Sequence, residues 1–151
     1  KILKDLVLRE PREISWTNPK RDLYEISWYF HTKSLRNFGI LHQYFYHNKV
    51  KILPKYIFDL LNSKMMAVWY MDDGSYNGKS ITLNTQGFPK DDQIKITDFL
   101  RTKFKINSTI VKEYSNWKIR VGSRDFEKFL SIVKPHIIPS MNYKMGNPRN
   151  D

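Results

Sequence analysis

The stretch MMAVWYMDDGSYNGKSITLNTQGF, residues 65–88, runs an apolar segment into two adjacent carboxylates, Asp72 and Asp73, then into a glycine and an alternating strand. A helix C-terminus already carries partial negative charge, so carboxylates placed there cost free energy unless a cation is bound. Taken alone, an apolar helix followed by Asp-Asp-Gly reads as a capped turn or as a loose cation-binding loop.

Composition supplies the likeness of a partner. Lys and Arg outnumber Asp and Glu by 26 to 15, a formal charge of +11, and aromatic residues make up 15% of the 151 residues. A polyanion is the first partner this implies, against a merely solvated basic surface or an anionic membrane surface. Cysteine is absent, which excludes a disulfide scaffold and suits a reducing or organellar interior. There is no 18-residue apolar run, so a membrane-spanning helix and a secretion signal are not expected. The chain opens at Lys1 rather than at a methionine, which reads as trimmed, processed or incomplete.

The elements that must hold Asp72 and Asp73 follow from periodicity. REISW (12–16) and LYEISWYFH (23–31) alternate apolar and polar residues around Asn18-Pro19, the pattern of a β-hairpin. Ser34 caps a helix bearing Leu35, Phe38, Leu41, His42 and Phe45, and NKVKILP (48–54) ends it before a short helix from Lys55. Ser63 starts the helix that runs into Asp73. A turn SYNG, a strand SITLNTQ (80–86) and a helix from about Lys90 follow, then strands STIVKEY (108–114) and WKIRV (117–121) joined at Ser115-Asn116. Ser123 caps a last helix with Phe126, Phe129, Leu130 and Val133, closed by Pro135. Residues 63–133 thus read α-β-(β)-α-β-β-α.

Part of this order occurs twice. EISWYFHTKSLRNF followed by KILP, and WKIRVGSRDFEKF followed by HIIPS, share a strand, a serine cap, a Phe-bearing helix, then an apolar pair before proline. The front half, the Asp-Asp-Gly helix with its following strand and helix, occurs once. The chain therefore reads as an α/β (α+β) protein of about one and a half copies of a repeat. Residues 1–62 form the C-terminal part of a first copy, and residues 63–151 a complete second copy.

MAVWYMDDG (66–74) resembles the second signature helix of the LAGLIDADG homing endonucleases in their two-motif monomeric form. NTQGF (84–88), KILP (51–54) and IIPSMNYKM (137–145) match the same family in the same order. The resemblance implies mixed helices on a twisted antiparallel DNA-binding sheet, with two signature helices side by side and their terminal acids beneath the scissile phosphates. It implies a divalent metal, Mg2+ or Mn2+, ligated by Asp73 with Asp72 in a supporting or backbone-carbonyl role, and site-specific hydrolysis of double-stranded DNA. Lys51 and Lys144 match the basic residues at the rim of the family's active centre, where they polarise phosphate and solvent. Val68 replaces the first glycine of the signature and Trp69 and Tyr70 are bulky, so small residues such as Ala67 are expected to supply the helix-pair contact. With a single Asp-Asp-Gly helix, the chain holds half of the catalytic pair. The other signature helix is expected from a missing N-terminal segment or a second chain, with homodimerisation ranked below these.

On such a sheet the outward strand positions are the candidate readers of the major groove. Alternation separates Ser80, Thr82, Asn84 and Gln86 from Ile81 and Leu83, and Lys118 and Arg120 from Trp117, Ile119 and Val121. Lys112 and Tyr114 join them from the neighbouring strand, and Glu25, Ser27 and Tyr29 hold the corresponding face in the first half. A solvated sheet face would show the same alternation. A non-cleaving relative such as an intron maturase or an RNA-protein assembly component, binding RNA on its basic sheet, is the second reading. An organelle or a prokaryotic cytoplasm is the expected setting.

Overall fold

The computed structural model describes residues 4–19 and 22–146, arranged as two compact units that divide between residues 42 and 43. Segment 43–62, counted above with the first copy of the repeat, packs with the second: Leu53, Phe58 and Leu61 lie against its core. No helix among the described residues is long and apolar enough to cross a membrane.

In the first unit β1 (Arg12–Asn18) pairs antiparallel with β2 (Leu23–Tyr29), in a register that sets Glu13 opposite Trp28 and Ser15 opposite Ile26. This is the expected hairpin. The Asn18 amide donates to the Glu25 carboxylate at 3.0 Å, and Val7 bridges to Thr32 beyond the strands. Period-two alternation sends Tyr24, Ile26 and Trp28 to one face, where they stay 69%, 57% and 66% exposed. Helix α1 (Arg36–Phe45) follows and runs across the division between residues 42 and 43.

The second unit opens with a small hairpin that the sequence reading does not contain. β3 (Tyr46–His47) and β4 (Val50–Lys51) are joined by Asn48 and Lys49, both at positive φ (47° and 65°). Two such residues give the turn whose twist suits two paired strands. A short helix α2 (Ile57–Leu60) leads to α3 (Ser63–Asp73), which starts at Ser63 as expected and is capped by Asn62, whose side chain accepts from the Met65 amide at 3.1 Å. Then come β5 (Gly74–Tyr76), β6 (Ile81–Leu83), α4 (Lys90–Phe104), β7 (Thr109–Glu113), β8 (Asn116–Val121) and α5 (Phe126–Val133). The α-β-β-α-β-β-α order is complete, although Ser75 and Tyr76, read in the sequence as part of the turn SYNG, pair with β6 as strand β5.

The four strands form one antiparallel sheet in the order β5-β6-β8-β7. Its inner face carries Ile81, Leu83, Ile119 and Val121. These are fully buried with Met66, Ala67 and Tyr70 of α3, Leu100 of α4, and Phe129 and Val133 of α5. Helix α4 stops where Lys105 turns left-handed (φ 56°) and the Ile106 amide reaches back to the Leu100 carbonyl at 3.1 Å. Ser123 does not cap α5. Asp125 stands at that position, and its carboxylate instead takes the Asn107 amide and side chain at 3.1 and 3.0 Å, tying the helix to the approach to β7.

Candidate functional site

Asp73 is the last residue of α3, half-buried, with exposed Asp72 before it. Neither carboxylate hydrogen-bonds or ion-pairs with another described side chain, although the chain carries a large excess of cations. Backbone contacts fix the position instead: the Asn84 amide donates to the Asp73 carbonyl at 3.1 Å, docking the end of β6 on the end of the helix. Gly74 has an ordinary φ of −87°, so it is not required for backbone freedom. It is required for space, since a Cβ there would fall 2.0 Å from the Tyr70 ring and 2.5 Å from the Tyr70 carbonyl.

Lys144 reaches this helix end from 70 residues away. Its ammonium donates to the carbonyls of Met71 at 2.5 Å, Gly74 at 2.9 Å, Asp72 at 3.3 Å and Tyr70 at 3.4 Å. The Met71 and Asp72 carbonyls belong to the last turn, whose carbonyls a helix terminus leaves without helical partners, and a cation is the favourable charge to place there; the Tyr70 carbonyl also accepts from the Gly74 amide. In return the Tyr70 hydroxyl donates to the Lys144 carbonyl at 2.5 Å. Burial, with a smaller push from Tyr76, raises the Tyr70 phenol well above its ordinary range, so it remains a donor at every working pH. Lys144 is thus built into the end of α3 and does not stand free at a rim.

Lys51 is placed differently. It is half-buried on β4 with its ammonium 4.5 Å from the centre of the Phe88 ring, and it lines a cleft of about 270 Å³ that also receives Asp72 and Asp73. Lys51 and the acidic pair therefore share one concavity. The segment carrying Lys51 is pinned by Asp92, nearly buried, whose carboxylate accepts from the Leu53 amide at 3.0 Å and from Lys95 at 2.7 Å.

Ala67 is fully buried within its own unit, so it is not available to a second helix as the sequence suggested. The exposed stripe of α3 is Met65 and Val68, 40% and 57% exposed, continued by Asp72. These three lie at i, i+3 and i+7, one face of a helix.

Register decides which strand residues share the outer face of the sheet. Thr82 lies opposite Arg120, and Arg120 opposite Thr109, on the polar side. Ser80 has the same parity but is 1% exposed: its amide and hydroxyl donate to the Asn77 side chain and its oxygen accepts from Arg120 Nε at 3.1 Å. Ser80 therefore supports Arg120 from beneath. Lys112 pairs with Trp117, which alternates with Lys118, and so points to the face opposite Arg120. Tyr114 stands at the hairpin tip, 95% exposed at φ 54°. Asn84 is exposed, while Gln86 donates to Glu113 at 2.6 Å, and Lys118 also donates to Glu113.

Two residues absent from the sequence reading organise this region. Gln93, fully buried on α4, donates to the carbonyls of Thr85, Phe88 and Trp117 at 3.1, 3.2 and 2.9 Å and accepts from the Thr85 hydroxyl at 2.9 Å. That explains NTQGF as a loop shaped around a buried amide. Glu113 is the other, and its carboxylate is held below the ordinary range first by the Lys118 hydrogen bond, then by that of Gln86.

The described residues hold no cluster of three or more acidic, histidine or cysteine side chains. Asp72 and Asp73 both line the cleft, and carboxylate oxygens of this kind are the donors a hard divalent cation takes, with water and phosphate completing its shell. The neighbouring carbonyls are committed to Lys144.

Known proteins agree with this architecture. The model of the LAGLIDADG DNA endonuclease family matches residues 1–129. A probable intron-encoded endonuclease 1 of Wickerhamomyces canadensis is 34% identical over 128 residues, 80% of this chain and 55% of the relative, so the chain spans about half of that protein. A probable intron-encoded DNA endonuclease 3 of Mycosarcoma maydis is 32% identical over 79% of this chain and 93% of its own length. The cytochrome b mRNA maturase bI2 of Saccharomyces cerevisiae is 33% identical over 88% of this chain and 30% of its own length. Among solved structures, the homing endonuclease I-WcaI bound to its DNA recognition sequence superposes with a TM-score of 0.84 at 28% identity, covering 99% of this chain and 69% of that one. With the signature helix ending on Asp73, its sheet in the order β5-β6-β8-β7 and a family match across most of its length, this chain belongs to the LAGLIDADG DNA endonuclease family.

Proposed function

We propose that the chain is the greater part of a site-specific DNA endonuclease in which Asp73 is the catalytic carboxylate. The observation that carries this is the Asp73 carboxylate itself: unengaged, at the end of α3, and in one cleft with the Lys51 ammonium. A pure binding protein has no use for acids facing phosphate. Asp73, with Asp72 beside it, would hold Mg2+ or Mn2+, which when bound polarises the scissile phosphate and stabilises the leaving oxygen. Lys51 would balance charge on a phosphate oxygen. Lys144 would act by holding the last turn of α3, and so Asp73, in place.

The polar sheet face bearing Thr82, Asn84, Gln86, Lys118 and Arg120 would lie in the major groove, with Tyr114 at its tip. Completion requires a second signature helix, from a preceding segment or a second chain, and the exposed Met65-Val68-Asp72 stripe supports its docking there. The exposed Tyr24-Ile26-Trp28 face supports the same conclusion for the first unit, because the echoed strand of the second unit buries Ile119 and Val121 completely. Relatives named for introns and for cytochrome b mRNA support an organellar setting. The maturase name also favours a second reading, RNA binding without cleavage on the same sheet.

Asp73→Asn in the completed assembly tests the first reading. It should abolish metal-dependent cleavage while duplex affinity stays within a few fold, since it removes a ligand and a repulsive charge but no base contact. Equal cleavage by parent and variant would make Asp73 structural and leave the binding-only reading.

A further inference from the structure

Glu113 is an acid on the face proposed to meet a polyanion. A lone carboxylate there would repel phosphate, but this one is not alone. One carboxylate oxygen accepts from the Lys118 ammonium and the other from the Gln86 amide at 2.6 Å, so β7, β8 and the loop after β6 are joined at one point. Glu113 lies opposite Asn116, two residues from Lys118 along β8, and therefore shares the outer face with Lys118 and Arg120. Lys118 and Glu113 keep 23% and 34% of their side-chain surface exposed, enough to be reached from outside.

We propose that Glu113 and Lys118, steadied by Gln86, form a pre-assembled group that reads a single G·C base pair in the major groove. The proposal rests on the DNA-binding reading above. An ammonium beside a carboxylate presents donors next to acceptors without net charge, so the pair adds little sequence-independent attraction and acts through base edges. Capacity remains on both sides: a carboxylate has about four acceptor sites and an ammonium three donors. Guanine offers O6 and N7 as acceptors and its partner cytosine an N4 amine as donor, which match Lys118 and Glu113 respectively. Fixing both side chains before the duplex arrives lowers the ordering cost of the contact.

The test uses the completed assembly, the form in which Asp73→Asn is also tested. A preferred site is enriched from a randomised duplex pool, and affinities are measured on that site and on all its single-base-pair variants. The expected result is one G·C pair preferred by about tenfold or more, a preference lost in Glu113→Leu, which has no acceptor, while every other position is read as before. The parent should show the same loss when that cytosine is replaced by 2-pyrimidinone, which lacks the N4 amine, a readout independent of how any variant folds. A Glu113→Leu chain that keeps full discrimination, loses it equally everywhere, or shifts only an A·T position overturns the assignment of Glu113 and leaves DNA reading intact. A parent that enriches no site overturns both.

Discussion

Lys144 and Tyr70 hold each other across 74 positions of sequence: the Tyr70 hydroxyl donates to the Lys144 carbonyl at 2.5 Å, and the Lys144 ammonium donates back into the last carbonyls of the helix that carries Tyr70. A lysine that caps a helix in this way is part of the fold as well as of the site. Lys144→Met is expected to cost about 1–3 kcal/mol, because it strands several partly buried carbonyls, and to slow cleavage in the same variant. The urea midpoint checks it. A midpoint equal to the parent's would return Lys144 to a free, phosphate-facing role.

Lys51 should separate from Lys144 in the same assay. It has a ring beneath it and an open cleft in front, and none of its described contacts spans a helix end. Lys51→Met should therefore leave the urea midpoint within about 0.5 kcal/mol of the parent while lowering cleavage. It should also shallow the salt dependence of duplex binding by about one counterion. Unchanged cleavage and an unchanged salt slope would exclude Lys51 from the site.

Gly74→Ala should destabilise the chain by about 1–3 kcal/mol or more, since the new methyl meets the Tyr70 ring and backbone at distances no real contact shows. Thermal unfolding reads this directly. Gly78, whose Cβ would meet nothing but whose φ is 89°, serves as the comparison: alanine there should lose stability through the backbone alone.

Gln93→Leu removes an amide that serves three carbonyls and one hydroxyl in the buried seam between α4, β8 and the NTQGF loop. The Thr85 groups left behind are buried, and the Phe88 and Trp117 residues partly so. A loss of about 2–4 kcal/mol is expected, with faster amide exchange confined to residues 84–88 as the local signature. Stability equal to the parent's would mean that the loop repacks without its anchor.

Acid should weaken the Glu113 cluster in a defined window. The folded carboxylate titrates below its ordinary value of 4.5 because Lys118, and then Gln86, stabilise the charged form. Its contribution is therefore fully present above the unfolded value and is lost as pH falls through the lowered folded one. Urea midpoints taken from about pH 6 to about pH 3 should fall less steeply in Glu113→Gln than in the parent. Identical slopes would mean that the contact with Lys118 does not persist in solution.

The order of elements in residues 63–133, the hairpin around Asn18-Pro19 and the placing of Asp73 at a helix end were all legible in the sequence, because alternation, helical spacing and capping residues are properties of short windows. So was the separation of Thr82 and Arg120 from Ile81 and Ile119. What those windows cannot contain is the partner across the fold. Alternation on β7 did not say that Lys112 would pair with Trp117 and turn away from Arg120; inter-strand register did. Helical spacing made Ala67 and Val68 neighbours, and only packing against the rest of the core buried the first and exposed the second. Lys144 matched a rim lysine in its local motif, yet its long, flexible stem delivers the ammonium to carbonyls 70 or more residues away. The sequence determined which groups exist and which face each leaves its own element by; the tertiary structure decided which of them meet, because hydrogen bonds and burial are satisfied by whatever the chain brings near, at any separation in sequence.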